Sequence, residues 1–435
     1  MKIKRIDAHS AELSSFLQQS QADMKLYQDR VDEIAAIIRE KGDAGIFELT
    51  HRFDGARIDQ DSLLVTDEEI EAAYEQVDDE FILALRAAID NIDLFHSRQL
   101  RNSWMEPDAK GNITGQIFRP LQRVGIYVPG GTAAYPSSVL MNAIPAQVAG
   151  VDEIAMVSPP DKDGRMNPYT LVAAAELDIS EIYKMGGAQA IFALAWGTEI
   201  VPKVDLISGP GNIYVTLAKK AVYGEVNIDM LAGPSEILII ADKEADPAYI
   251  AADLMSQAEH DVLARSILVT DEESLFDRVE AELNKQVKDL SRREMIVESL
   301  EKNGAFILTE TMYDACQVSN LIAPEHLELM VGHPFDYLNR IHNAGAIFMG
   351  SNTPEAAGDY YAGPNHILPT GGTARFYSPV TVDTFTKISS IIYYSREGME
   401  EDADDIIKLA EVEGLTAHAH SVRIRKEKIN ERKRP

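Results

Sequence analysis

The chain has 435 residues, which is too long for one ordinary hydrophobic core, so its length predicts at least two domains. Its 70 acidic residues outnumber its 41 basic residues and give a formal net charge of −29. A surface this acidic repels phosphate backbones and anionic lipid, so we expect neither a nucleic acid nor a membrane as a partner.

The first 110 residues are predicted to be mainly helical. Val31, Ile34 and Ile38 recur at helical spacing, and a second amphipathic run covers Asp67 to Leu94. Glycine and aspartate near residues 42 and 55 are typical of turns between these helices.

From about Gln116 the pattern changes to short apolar strands, each followed by a glycine- or proline-rich turn and then a helix. The predicted strands cover 124–128, 154–157, 182–185 and 204–207. Strands that alternate with helices predict a parallel α/β sheet. In such sheets ligands bind beyond the carboxyl ends of the strands, where these turns fall.

The alternation continues with predicted strands over 236–241, 266–270, 305–308 and 344–349, and with helices that begin at Pro247, Glu273 and Thr311. After Asp383 the sequence becomes acidic and is predicted to be helical. The pattern thus predicts an α/β protein of two Rossmann-like parallel-sheet lobes with small helical N- and C-terminal arms. The predicted boundaries are an N-terminal arm over 1–25, a discontinuous first lobe over 26–125 and 238–380, a second lobe over 126–237, and a C-terminal arm over 381–435.

The single cysteine, Cys316, allows no disulfide within the chain and is typical of a protein from a reducing cytosol. Its neighbours predict a buried helical thiol rather than a nucleophile. No apolar run is long enough to span a bilayer, and no apolar segment typical of a signal peptide follows the first basic residues. We therefore expect a cytoplasmic protein. The basic stretch after Arg423 is interpreted as a solvated helix end.

A helix predicted from Asp246-Pro247 would place Gln257 and His260 on one face near its end. Two donors at this spacing can hold a divalent metal ion, although glutamine is an uncommon zinc ligand. A histidine beside the C-terminal helix dipole and an ordinary surface glutamine would produce the same pattern.

Other candidate groups carry similar alternatives. Glu325 and His326, side by side after a proline, could divide acid–base work, or could belong to the first turn of a helix. Asp359 and His366 lie in a glycine-rich stretch that suits a metal or substrate site, or an ordinary turn. The turn at 208–212 resembles a dinucleotide-binding turn but lacks the full glycine fingerprint.

Near the end, Glu413 and His418 would diverge on one continuous helix. Gly414 and Thr416 offer a break and a new N-cap that could bring the two side chains to one site. The sequence pattern alone does not choose between these arrangements.

Taken in order, these stretches resemble the histidinol dehydrogenase family. The resemblance spans nearly the whole chain and is carried by these segments: Val124–Gly131, Tyr135–Pro145, Ser208–Asn212, Asp229–Glu236, Ala252–Asp261, Ala323–Leu327, Ala357–His366 and Glu413–His418.

The resemblance implies an NAD-dependent alcohol and aldehyde oxidoreductase that converts L-histidinol to L-histidine through L-histidinal, the last step of histidine biosynthesis. It implies one Zn²⁺ per subunit, and a homodimer in which the C-terminal arm brings Glu413 and His418 to the partner's site. The implied metal ligands are Gln257, His260, Asp359 and His418. The implied acid–base pair is Glu325 and His326, and the implied NAD contacts are Tyr127, Gln189 and Asn212. The implied substrate contacts are Ser235, His326 and Glu413, beside the metal ligands, with His366 nearby. The family's aldehyde step proceeds through a hydrated intermediate, in keeping with a cysteine that matches none of these motifs.

Two alternatives belong to other classes of protein. A zinc-dependent amidohydrolase could use Glu325 as its base without a nucleotide, and a non-enzymatic two-lobed small-molecule binder could share the α/β pattern. Binding of NAD separates the first alternative from the dehydrogenase, and the second leaves the adjacent Glu325 and His326 without a role.

Overall fold

The protein is described by a computed structural model that covers residues 1–18, 25–130 and 134–432. Gly131, the last residue of one predicted turn, lies outside the described residues. The chain forms two compact units: Met1–Gln99 with Leu121–Phe385, and Leu100–Pro120 with Thr386–Pro435. None of the helices in the described ranges combines the length and the apolar content that crossing a membrane requires.

Helices and strands alternate along most of the first unit. The strands are β1 (Lys4–Asp7), β2 (Trp104–Pro107), β3 (Ile113–Pro120), β4 (Arg123–Tyr127), β5 (Glu153–Ser158), β6 (Glu181–Lys184), β7 (Leu206–Ser208), β8 (Asn227–Ile228), β9 (Glu236–Ala241), β10 (Arg265–Thr270), β11 (Ala305–Leu308), β12 (His326–Met330), β13 (Ala346–Met349) and β14 (Thr386–Tyr393). The helices are α1 (Ala11–Gln18), α2 (Lys25–Lys41), α3 (Asp43–Asp54), α4 (Asp67–Tyr74), α5 (Asp79–Ser97), α6 (Pro136–Ala149), α7 (Pro168–Ala175), α8 (Gly187–Trp196), α9 (Ile213–Val222), α10 (Pro247–Ala258), α11 (Ser274–Gln286), α12 (Arg293–Asn303), α13 (Met312–Ile322), α14 (Phe335–Leu338), α15 (Glu355–Tyr360), α16 (Arg396–Val412) and α17 (Thr416–Glu431).

A six-stranded parallel sheet in the order β1-β11-β10-β9-β12-β13 forms one half of the first unit. Its central strand β9 is buried along its whole length because helices cover both faces of the sheet. Ile237 and Ile239 pack against α10, α11 and α12 on one face, while Leu238 and Ile240 pack with α1 and α13 on the other. Cys316 lies in α13 and is buried, as its sequence neighbours predicted.

A five-stranded parallel sheet in the order β6-β5-β4-β7-β8 forms the other half. Helices α5, α6 and α7 pack on the face that carries Val124 and Ile126. Helices α2, α3, α8 and α9 pack on the opposite face with Ala155 and Val157. The predicted α/β class with two parallel-sheet lobes is confirmed.

The helices over residues 25–97 pack on the five-stranded sheet: α2 contacts α8 and α9, α4 contacts α7, and α5 contacts α6. The predicted grouping of 26–125 with 238–380 differs from this packing. Helical periodicity shows which face of a helix is buried, but it carries no information about which sheet buries that face.

The second unit contains a three-stranded antiparallel sheet in the order β14-β3-β2, and the helical pair α16 and α17. The prediction of an entirely helical chain after Asp383 is wrong for β14, whose β-branched residues pair with β3 along its whole length. The basic residues after Arg423 lie on α17, where Arg423 pairs with Glu411 at 2.7 Å and Lys426 pairs with Asp404 at 2.5 Å.

Candidate active site

Glu325 and His326 lie where the chain enters β12, at the amino-terminal edge of the six-stranded sheet. Helix α13 ends at Ala323 in a left-handed conformation, with φ of 53°, and the chain then turns into the strand. The alternative that placed this pair in the first turn of a helix is wrong. Both side chains are buried.

Hydrogen bonds hold both side chains in place. Glu325 Oε2 accepts a hydrogen bond of 2.9 Å from the backbone N–H of Glu236, the first residue of β9. His326 Nδ1 lies 3.2 Å from the carbonyl oxygen of Glu236 and 3.1 Å from Oε1 of Gln257. Since both of these partners are acceptors, Nδ1 carries a hydrogen, and Nε2 is left without a hydrogen-bond partner among the described residues.

Burial and neighbouring charge shift the protonation of this pair. Burial raises the pKa of Glu325 to about 8. Burial by itself lowers the pKa of His326, but the surrounding carboxylates, Glu355 and Glu325 foremost, raise it well above its usual range. The two groups can therefore hold and exchange protons near neutral pH, as a general acid and base must.

A cluster of metal-binding side chains lies against His326. The ligand atoms of His260, Glu355 and Asp359 all lie within 4.8 Å of one another. Asp359 Oδ1 is 3.6 Å from His326 Nε2, and buried Gln257 joins the cluster through its contact with His326 Nδ1. Gln257, His260 and Asp359 are thus brought together.

His260 reaches this cluster from just outside a helix. Helix α10 ends at Ala258 with Glu259 as its C-cap, so His260 does not share a helix face with Gln257 as the sequence pattern predicted. The helix stops because the next turn closes on Gln257, whose carbonyl oxygen accepts a 3.2 Å hydrogen bond from the backbone N–H of His260.

Glu355 is the member of the cluster that the sequence pattern did not single out. It begins α15 one turn before Asp359, and the i, i+4 spacing of two carboxylates on one helix was the signal that could have identified it. Both of its carboxylate oxygens are buried without a hydrogen-bond partner among the described residues. Imidazole nitrogen, amide oxygen and carboxylate oxygen are donors that zinc and similar divalent ions accept, so these residues fit a metal ion.

A cavity of ≈ 310 Å³ opens beside the cluster. Asp359 and His366 contribute polar groups to its lining, and Phe95, Phe348 and Val380 contribute apolar surface. His366 Nδ1 lies 3.0 Å from the carbonyl oxygen of Asp359, which ties this histidine to the metal-binding helix. The cavity can accept a small molecule with both polar and apolar parts.

Tyr127, Gln189 and Asn212 lie at the opposite type of edge, the carboxyl ends of the strands of the five-stranded sheet. Tyr127 ends β4, and its hydroxyl accepts a 3.1 Å hydrogen bond from the backbone N–H of Gly187 at the start of α8. Gln189 lies in the first turn of α8, and its Oε1 is buried without a partner among the described residues. Asn212 caps α9 by accepting hydrogen bonds from the backbone N–H groups of Tyr214 and Val215.

The turn before α9 is held by a buried polar network. Gly209 has φ of +128°, and a Cβ atom there would lie 2.1 Å from the carbonyl oxygen of Tyr127. Lys219 donates to the Gly209 carbonyl at 3.0 Å and pairs with buried Asp229, which accepts from the Gly209 N–H at 2.8 Å. Two helix N-termini beside a fixed glycine turn suit the phosphates of a nucleotide.

Ser235 lies directly before β9, half-buried, and its carbonyl oxygen accepts a 3.0 Å hydrogen bond from the backbone N–H of Arg265. Glu413 and His418 belong to the second unit and are both exposed. Gly414, with φ of 74°, separates α16 from α17, as predicted. Helix α17 begins at Thr416, so the N-cap is Leu415 rather than Thr416.

Comparison with known proteins gives a consistent result. A family model described as histidinol dehydrogenase matches residues 17–426. A histidinol dehydrogenase from Heliobacterium mobile is 54% identical over 426 residues, which cover 98% of this chain and 100% of the relative. One from Carboxydothermus hydrogenoformans is 54% identical over 92% of this chain and 93% of its own length. A crystal structure of histidinol dehydrogenase from Elizabethkingia anophelis superposes with a TM-score of 0.93 at 38% identity, and covers 98% of this chain and 99% of that one.

Proposed function

The chain belongs to the histidinol dehydrogenase family, a family of NAD-dependent oxidoreductases, and from this premise we propose that it oxidises L-histidinol to L-histidine through L-histidinal. Each of the two steps passes one hydride to an NAD molecule and releases one proton, and water supplies the second carboxylate oxygen. The reaction is the last step of histidine biosynthesis, and we expect it to take place in the cytoplasm.

The observation that carries the proposal is the environment of His326. Its Nδ1 faces the carbonyl oxygen of Glu236 and Oε1 of Gln257, while Nε2 has no hydrogen-bond partner among the described residues. In its neutral form this imidazole is therefore a base at Nε2, ready to take the alcohol proton as hydride leaves. Its buried position keeps that nitrogen away from bulk water.

Glu325 has the second proton-transfer role. Its carboxyl group is fixed by the N–H of Glu236, and burial raises its pKa to about 8. A carboxylate in such an environment is a stronger base than one in water, which suits it to deprotonate the water that attacks the aldehyde. Two adjacent residues then serve two successive proton transfers.

Further residues would hold the bound groups. One zinc ion per subunit, held by Gln257, His260, Asp359 and His418, would supply a template for the imidazole and amine of the substrate. Tyr127, Gln189 and Asn212 would contact NAD. Ser235, Glu413 and His366 would contact the substrate.

We also propose a homodimer with shared active sites, in which Glu413 and His418 serve the partner's site. Their exposure on the second unit supports this role, since neither side chain is buried within its own chain. Mixing His418→Asn subunits with Glu325→Gln subunits should restore part of the activity, because each heterodimer would contain one intact site. Heterodimers of verified composition that show no rescue would contradict the shared site.

The function is tested by NADH formation from L-histidinol, measured with metal-loaded enzyme and again after chelation. We expect NADH in the first case and its loss in the second, with recovery when Zn²⁺ is restored. Metal-loaded enzyme that forms no NADH would overturn the proposal, and failure to bind NAD at all would instead favour an amidohydrolase that uses Glu325.

A further inference from the structure

Glu355 has the geometry of a metal ligand although it lies outside the set proposed above. Its side chain is 1% exposed, and one of its oxygens lies in the cluster with His260 and Asp359. Neither carboxylate oxygen has a hydrogen-bond partner among the described residues. Its nearest cationic group is the imidazole of His326, with Nδ1 at 3.8 Å from Oε1, beyond hydrogen-bond range.

A purely structural carboxylate would be arranged differently. Glu328, the nearest comparison, is also buried, but its Oε1 accepts a 2.9 Å hydrogen bond from the backbone N–H of Glu355. Glu325 likewise accepts a backbone hydrogen bond, and Glu236 accepts one from Gly371. Buried polar groups are almost always hydrogen-bonded because desolvation without compensation costs several kcal/mol, so both bare oxygens of Glu355 require an explanation.

The surrounding charges favour a cation as that explanation. Asp359 follows one turn after Glu355 on α15, and Glu328 lies behind it. Carboxylates packed this closely in a buried site repel one another unless a positive charge lies between them. The cluster with His260 has the donor types that a divalent metal ion selects.

We propose that Glu355 ligates the metal ion beside His260 and Asp359 in the substrate-free enzyme, and that L-histidinol displaces it. The inference rests on the proposed function, because the displacing molecule is the proposed substrate. Gln257, His260, Asp359 and His418 of the partner subunit, together with the imidazole and amine of the substrate, would complete an octahedral shell. No position would then be left for Glu355, whereas without substrate the shell is incomplete and one of its free oxygens can enter.

The proposal is tested by zinc affinity rather than by activity. Metal-free enzyme competes with a chromophoric chelator for Zn²⁺, with and without L-histidinol and in the absence of NAD. The proteins are wild type, Glu355→Gln, Glu355→Asp, Asp359→Asn as the variant of a proposed ligand, and Glu298→Gln as an exposed control on α12. Thermal unfolding of each metal-free protein is measured in parallel.

Without L-histidinol we expect Glu355→Gln to bind zinc about 10–100-fold more weakly than wild type. With saturating L-histidinol the difference should shrink to about threefold or less, because wild type then no longer uses Glu355. Glu355→Asp keeps the charge but withdraws the oxygen by one methylene, so its zinc affinity should also fall. Metal-free Glu355→Gln should be at least as stable as wild type, because a buried repulsive charge is removed.

Equal zinc affinities of wild type and Glu355→Gln without L-histidinol would overturn the ligation. A difference that persists with L-histidinol would overturn the displacement, and full affinity in Glu355→Asp would show that charge alone suffices. A metal-free Glu355→Gln that is less stable than wild type would point to a structural role instead. If wild type itself binds no zinc, the proposed function fails; if wild type binds zinc and oxidises L-histidinol while Glu355→Gln binds equally well, only the assignment of Glu355 fails.

Discussion

The two parallel sheets place their polar side chains at opposite edges. Tyr127, Gln189 and Asn212 lie at the carboxyl edge of the five-stranded sheet, where the side chains are neutral and the backbone N–H groups of α8 and α9 are close by. The amino edge of the six-stranded sheet instead gathers ionisable groups: Glu236, His260, Glu325, His326, Glu355 and Asp359. The segment 229–235 joins β8 to β9 and so leads from one edge to the other.

Helix polarity explains why the two edges attract different partners. Helices that follow strands begin at the carboxyl edge, so it meets positive helix N-termini, which suit the phosphates of a nucleotide. Helices α10 and α13 end at the amino edge, where carbonyl groups and a negative partial charge favour cations. The difference indicates that one edge binds an anionic cofactor, while the other holds a metal ion and moves protons.

The largest expected effect belongs to Glu325→Gln at the amino edge. Glutamine keeps an acceptor for the N–H of Glu236 but cannot take a proton, so oxidation of L-histidinal should fall by about 10²–10⁴-fold. Oxidation of L-histidinol to the aldehyde should fall much less. Single-turnover NADH formation from each substrate measures the two steps, and an equal loss in both would contradict the role in water activation.

Gly209→Ala tests the carboxyl edge. The new Cβ would lie 2.1 Å from the Tyr127 carbonyl oxygen at a φ of +128°, so the turn must shift, at a cost of about 2–4 kcal/mol in the free energy of unfolding. NAD affinity should fall while zinc affinity stays unchanged. Gly224→Ala is the matched control, because its φ of +102° is equally unusual but nothing lies within 4 Å of the added atom. Loss of zinc in Gly209→Ala would show that the two edges are not independent.

Asp54→Asn probes a carboxyl group of α3 in the same half of the molecule as Tyr127. Burial raises the pKa of Asp54 to about 6, so its ionisation is harder in the folded than in the unfolded protein. The native protein therefore loses stability as pH rises from the usual aspartate range through about 6, and Asp54→Asn should be more stable at pH 7.5 by about 1–2 kcal/mol after allowance for its partial exposure.

Thermal unfolding at pH 7.5 and pH 5 checks this expectation, since the advantage of Asp54→Asn should shrink at the lower pH. Exposed Asp90→Asn serves as the control. An advantage that is the same at both values would exclude ionisation of Asp54 as its cause.

Asn212→Ala should have the smallest effect on stability. The loss of an N-cap that accepts from Tyr214 and Val215 costs about 1 kcal/mol. Asn167→Ala removes a comparable cap from α7, which accepts from Tyr169, and should cost a similar amount. NAD affinity, measured by fluorescence titration, should fall for Asn212→Ala alone; an equal effect of both variants would remove Asn212 from the cofactor site.

The elements that could be predicted from sequence are those whose signal is local. The run Glu236–Ala241 is apolar at nearly every position and buried throughout, and the strands that end in glycine-rich turns were found for the same reason. Strand β12 escaped prediction because Glu328 interrupts its apolar pattern, although that carboxylate is buried. Strand β14 escaped because its two neighbouring segments in sequence are not its partners, and only β3 reveals its role.

The candidate site divides in the same way. The order of the motifs was enough to bring forward Glu325, His326, Gln257, His260 and Asp359, which the structure places together. Glu355 gains its significance only from neighbours brought by α10 and β12, as does the hydrogen on His326 Nδ1, which depends on Glu236 and Gln257.

By itself, the sequence determined the element types, the turn positions and the family, because each depends on residues close together in the chain or on motifs read in order. Only the tertiary structure decided which sheet buries α2–α5, which edge holds the ionisable groups and which carboxylate oxygens lack a partner. These properties arise from contacts between residues far apart in sequence, where burial and neighbouring charge set the energetics and local pattern carries no information.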